Sequence, residues 1–168
     1  PRARPEGVFS MEYYARVAKM AEDACFDAIV FGDQLQSRGA GGRTPARLAM
    51  PTLDPVSLLM AMAAVTERVG LVATVSTTYN TPEMLAERFA AMDRISGGRA
   101  GWNIVTTAHP ETAPNFGEAE LPPKDQRYAH AVDVVAKACE LWAAMDRAGP
   151  ELPQGRPVLV QAGQSPEG

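Results

Sequence analysis

Residues 81–107 read TPEMLAERFAAMDRISGGRAGWNIVTT, and this stretch decides the fold class. Thr81 has the short hydroxyl side chain that caps a helix, Pro82 suits the first helical turn, and Leu85, Phe89 and Met92 recur at spacings of four and three. Gly97 and Gly98 stop that helix. Residues 100–106, AGWNIVT, follow at once as a largely apolar run instead of an apolar/polar alternation, the pattern of a strand covered on both faces. A helix feeding directly into such a strand is the repeating unit of a parallel α/β fold.

The unit recurs on either side. Ser10 caps a helix with Tyr14, Val17, Ala18, Ala21 and Cys25 at helical spacing, and the strand Ala28 to Phe31 comes next. Asp54 caps a second helix, opened by Pro55, that carries Leu58, Leu59, Met62, Ala63 and Val65 and closes near Gly70; a strand from Leu71 to Ser76 follows. After the strand at 100–106 the pattern predicts a helix from Arg127 to about Met145 and a fourth strand, PVLVQ, at 157–161. Long loops fill 34–52 and 107–124.

Between the open doubly wound sheet and the closed barrel, the glycines decide. Gly39, Gly41 and Gly42 lie inside a loop at the wrong spacing for a dinucleotide fingerprint, and no Walker A sequence occurs. Long loops after strands, with polar residues at the strands' carboxyl ends, suit a (β/α)8 TIM barrel. A full barrel takes about 250 residues. With about four strands legible in 168 residues, residues 1–168 are read as a single barrel domain present as an incomplete chain. Missing sequence, a C-terminal part and the opening strand, or else a partner is expected, because a half barrel leaves strand edges unpaired.

The composition excludes several classes. At 46% apolar and 21% charged residues the chain has the balance of a globular domain. A net charge of -4 offers no basic surface for phosphate backbones, so nucleic acid is not an expected partner. No apolar run approaches the length of a membrane span, and the opening PRARPEGVFSMEYY lacks the apolar core of a signal peptide; a cytoplasmic location is expected. Cys25 and Cys139 have no metal or disulfide spacing and read as small buried apolar residues. His109 and His130 lack partners at ligand spacing, so no metal site is expected.

In a parallel fold the carboxyl ends of all strands share one face, which gathers polar residues distant in sequence. Asp33 follows the first strand, Thr74 to Thr78 end the second, Asn103, Thr106 and Thr107 the third, and Gln161, Gly163, Gln164 and Ser165 the fourth. Amides, hydroxyls and one carboxylate suit hydrogen bonding to a polar heterocycle and a phosphate better than metal ligation. Each threonine also reads as an ordinary β-branched strand residue. Asn103 is the strongest candidate, because an amide in an apolar strand needs partners when buried; Trp102 beside it packs between sheet and helices.

The run from Leu85 to Thr107, with FDAIVFGD at 26–33, LLMAMAAVTERVGLVATVSTTY at 58–79, NFG at 115–117, RYAHAVDVV at 127–135 and GRPVLVQAGQSPEG at 155–168, resembles the bacterial luciferase-like flavin monooxygenases. The similar branch holds nitrilotriacetate monooxygenase component A and dibenzothiophene-sulfone monooxygenase. The resemblance implies a TIM barrel that takes reduced FMN (FMNH2) from a separate NAD(P)H:flavin reductase and uses O2 to oxygenate a small organic substrate, in a protein expected to be a homo-oligomer. It places Asp33, Thr74, Asn103, Tyr128 and Ser165 at flavin contacts, Tyr128 and Ser165 beside the phosphate with N–H groups near Gly163, and Asn103 as the catalytic candidate. Lys124 stands where relatives tend to carry histidine. A deazaflavin-dependent oxidoreductase on the same barrel and a non-catalytic flavin-binding fragment are the alternatives.

Overall fold

The structure is a computed structural model that describes residues 9–33, 35, 53–149 and 151–163. The elements in chain order are α1 (Met11–Asp23), β1 (Ala28–Phe31), α2 (Pro55–Ala63), β2 (Gly70–Ser76), α3 (Pro82–Ser96), β3 (Ala100–Val105), a 3-10 segment (Pro110–Phe116), α4 (Lys124–Ala148) and β4 (Val158–Val160). The strands form one sheet in the order β1-β2-β3-β4, and every neighbouring pair is parallel. Chain order equal to sheet order, with a helix in each crossover, is the connectivity of a barrel wall and not of a doubly wound sheet.

Local chemistry accounts for most boundaries. The hydroxyl of Thr81 accepts from the Met84 N–H at 3.3 Å, the Asp54 carboxylate from the Ser57 N–H at 2.7 Å, and the Ser10 hydroxyl from the Tyr13 N–H at 3.4 Å. Gly97 takes φ 66, which ends α3 in the left-handed region. α1 ends in the same way on a different residue. Its termination has the Cys25 N–H bonded to the Glu22 carbonyl and the Phe26 N–H to the Ala21 carbonyl, with Cys25 at φ 59. Cys25 is therefore exposed, contrary to its reading as a buried apolar residue, because a left-handed residue just past a helix end points away from the helix's packed face. Cys139 is half-buried against the core.

Two helices depart from the sequence pattern. α2 stops at Ala63 instead of near Gly70, and α4 runs from Lys124 to Ala148, longer at both ends than the predicted 127–145. The cause in α2 is Arg99, whose guanidinium takes the carbonyls of Ala63, Thr66 and Val69 at 3.1, 3.0 and 3.0 Å and the Thr66 hydroxyl at 2.9 Å, while its Nε donates to the Ser96 carbonyl at 2.7 Å. Beside it the Glu22 carboxylate accepts from the N–H groups of Glu67, Arg68 and Val69 at 2.9, 2.5 and 3.0 Å. Together they fasten the amino-end face of the sheet.

The core lies between the sheet and α2, α3 and α4. Leu71, Ala73 and Val75 of β2 and Ala100 and Trp102 of β3 face the helices and meet Leu59, Met62, Leu85, Phe89 and Trp142. Trp102 is fully buried, donates its indole N–H to the Val75 carbonyl at 2.9 Å and lies 5.5 Å from the Phe89 ring, as its place in the sequence led us to expect. Alternation puts Val72, Thr74 and Ser76 with Gly101, Asn103 and Val105 on the opposite, concave face. Val30 and Val158, in register with Val72 and Gly101, stand exposed on that face.

Candidate functional site

The carboxyl ends of β2 and β3 meet through side chains. Thr74 and Asn103 are register partners, and the Asn103 amide nitrogen donates to the Thr74 hydroxyl at 3.0 Å. The Asn103 oxygen is buried and has no partner among the described residues. One turn of pleat further on, the Ser76 and Thr107 hydroxyls share a 2.7 Å hydrogen bond, the Thr78 N–H donates to the Ser76 hydroxyl at 3.2 Å, and the Thr107 N–H donates to the Thr78 hydroxyl at 3.2 Å. Reading each threonine as an ordinary strand residue misses this lattice, because its members come from the end of β2 and the segments after β2 and β3 and interlock only when these strands are paired.

The remaining candidates sit on other elements. Asp33 is half-buried two residues beyond Phe31, the last residue of β1. Tyr128 lies in the second turn of α4 and lines a cleft of about 410 Å³ with Ile104, Thr106, Val132, Val135 and Gln161. Lys124 opens α4, and its Nζ is 5.4 Å from the centre of the Tyr128 ring. Ser165 lies outside the described residues, so its expected approach to Tyr128 has no counterpart here. The Gly163 N–H, an expected phosphate donor, is taken by the Gln161 side-chain oxygen at 2.7 Å.

One cluster was not singled out from the sequence. Tyr79, three residues after β2, stacks on Phe116 with ring centres 4.1 Å apart and planes 2° from parallel. Asn115 donates to the Leu35 carbonyl at 2.8 Å, so the 3-10 segment after β3 bridges the exits of β1 and β2. The Tyr79 hydroxyl and the Arg127 Nε are buried without partners among the described residues. Burial pushes the Tyr79 pKa up, and the Glu118 carboxylate adds to that shift against the Arg127 charge. The NFG motif at 115–117 was the available signal; that its phenylalanine seats on Tyr79 could not be read from it.

Among the described residues no group of three or more His, Cys, Asp or Glu side chains could hold a metal ion, and both histidines are exposed. The polar groups gathered at the carboxyl ends of β2 and β3 are hydroxyls and one amide. A family model described as luciferase-like monooxygenase matches residues 2–168. The chain belongs to this family. It is 34% identical to nitrilotriacetate monooxygenase component A of Aminobacter aminovorans over 210 aligned positions, covering 100% of this chain and 46% of the relative. It is 33% identical to dibenzothiophene-sulfone monooxygenase of Rhodococcus erythropolis, over 95% of the chain and 44% of the relative. Among solved structures, EDTA monooxygenase from Chelativorans sp. BNC1 superposes with a TM-score of 0.84 at 30% identity, covering 99% of this chain and 45% of the other. The chain thus spans just under half the length of these relatives. The luciferase-like fold and the branch implied by the sequence both hold, and the four parallel strands are part of a TIM-barrel wall.

A flavin fits the residues present. The unpaired Asn103 oxygen supplies an acceptor for a ring N–H, and the hydroxyls of Ser76, Thr78 and Thr107 lie further along the exits of the two strands.

Proposed function

We propose that this chain is part of a single-domain, FMN-dependent monooxygenase of the two-component type. It takes reduced FMN from a separate NAD(P)H:flavin reductase and uses O2 to oxygenate a small organic substrate. The observation that carries the reading is the buried, unpartnered oxygen of Asn103 at the sheet's carboxyl end, next to a lattice of hydroxyls that contains neither acid nor base. Bound there, the flavin supplies the oxygen chemistry, and the protein's task is to orient it and to exclude water. Thr74 and Asn103 would meet the ring system, Asp33 the ring's polar edge, and Tyr128, Lys124 and Ser165 the phosphate. Relatives named for nitrilotriacetate, dibenzothiophene sulfone and EDTA support a small organic substrate. A homo-oligomer in the cytoplasm completes the proposal.

Titration of the full-length protein under anaerobic conditions with FMNH2, FMN, riboflavin and a reduced deazaflavin tests the reading. Tight binding of FMNH2, with reoxidation by O2 at a rate different from that of free FMNH2, is the expected result; preference for the deazaflavin, or bound FMNH2 that reoxidises as the free flavin does, would overturn it. Ser165→Ala and Tyr128→Phe should weaken FMN more than riboflavin, which lacks the phosphate. Equal losses for the two ligands would remove both residues from the phosphate site.

A further inference from the structure

The Asn103 amide is oriented by a single neighbour. Its nitrogen donates to the hydroxyl of Thr74, the residue directly opposite on β2, and this turns its oxygen onto the concave face, where it is buried and without a donor. A buried acceptor left unpaired is costly, so the site is built for a ligand that brings an N–H to this position. Oxidised and reduced flavins differ in this respect. The reduced ring carries an N–H where the oxidised ring presents a bare nitrogen lone pair. An amide oxygen held here pairs with the first and is repelled by the second.

We infer that Asn103, held by Thr74, is the redox discriminator of the site: it favours the reduced flavin over the oxidised one. The inference rests on the flavin reading proposed above and adds to it the residue pair that chooses between the two oxidation states. Thr74 acts as a positioning residue, because its hydroxyl oxygen accepts from the amide nitrogen and leaves the amide oxygen to the ligand. Preference for the reduced form and a raised two-electron midpoint potential of the bound flavin are one quantity seen in two ways, since binding and reduction are linked.

The experiment measures dissociation constants of the full-length protein for FMNH2, anaerobically, and for FMN, with the midpoint potential of bound flavin as a readout independent of turnover. Asn103→Ala is expected to weaken FMNH2 about tenfold and leave FMN unchanged or tighter, lowering the bound midpoint by about 30 mV. Thr74→Val, close to threonine in shape, should shift the potential in the same direction by a smaller amount. If Asn103→Ala fails to fold by circular dichroism, Thr74→Val alone decides. Equal weakening of both forms with an unmoved potential overturns the inference and leaves the flavin reading standing, since it means a contact to a ring group common to both states. Wild-type protein that binds neither form overturns both.

Discussion

Arg99 offers a test of how the barrel wall is held, at the end remote from the candidate site. Replacing it with methionine keeps the apolar stem and deletes five N–H bonds, to four carbonyls and one hydroxyl. At a net of about 1 kcal/mol each these would sum to roughly 5 kcal/mol. Two effects reduce the figure. Burial disfavours the charged guanidinium, lowering the Arg99 pKa from its ordinary value, so its removal relieves a desolvation cost. The site is also only half-buried, so water replaces part of what is lost. The expected destabilisation of Arg99→Met is therefore about 3 kcal/mol, a large share of the roughly 5–15 kcal/mol that holds a typical domain. Arg99→Lys should recover no more than about a third, because one ammonium cannot reach five acceptors spread over three segments. Urea unfolding of the full-length protein measures both, and flavin affinity at low temperature serves as the control, expected to be unchanged. A loss below about 1 kcal/mol at constant m would refute the assignment of Arg99 as the clamp of α2, β2 and β3.

Cys25→Gly should stabilise the protein by about 0.5–1 kcal/mol, because Cys25 holds a left-handed φ of 59 that glycine adopts freely, and a rise in Tm checks it. Glu22 contributes to the acid limb. Its carboxyl is held down to about 2, from 4.5, chiefly by the backbone N–H groups of Arg68 and Val69. A group depressed on folding contributes stability above its unfolded value, so this contribution is complete above about pH 4.5 and fades as pH falls toward 2. Glu22→Gln should flatten the stability profile across that window, and an unchanged acid limb in pH-resolved unfolding would show that the carboxylate is not engaged.

What could be read from the sequence was what local chemistry decides. The capping hydroxyl of Thr81, the stop at Gly97 and the strand at β3 follow from neighbours within a few residues, and all three stand where the pattern put them. Asn103 was legible as an amide out of place in an apolar strand. The misses involve partners distant along the chain. α2 ends early because Arg99 reaches back 36 residues to the Ala63 carbonyl, and Tyr79 stacks on Phe116 across a whole strand and loop. Cys25 misled for a different reason. Its spacing continues the apolar stripe of α1, yet the helix has already closed at Asp23 and the residue occupies the turn.

The exits of β2 and β3, residues 74–78 and 103–107, contain threonines, valines, an isoleucine, a serine and an asparagine, and the hydrogen bonds that lock Ser76, Thr78 and Thr107 run entirely between neutral groups. Such a frame neither gains nor loses a proton at any pH where the protein is folded, and added salt has little charge there to screen. The floor of the site is thus electrically silent. A bell-shaped dependence of turnover on pH would therefore report on the cofactor, the substrate or side chains outside this frame.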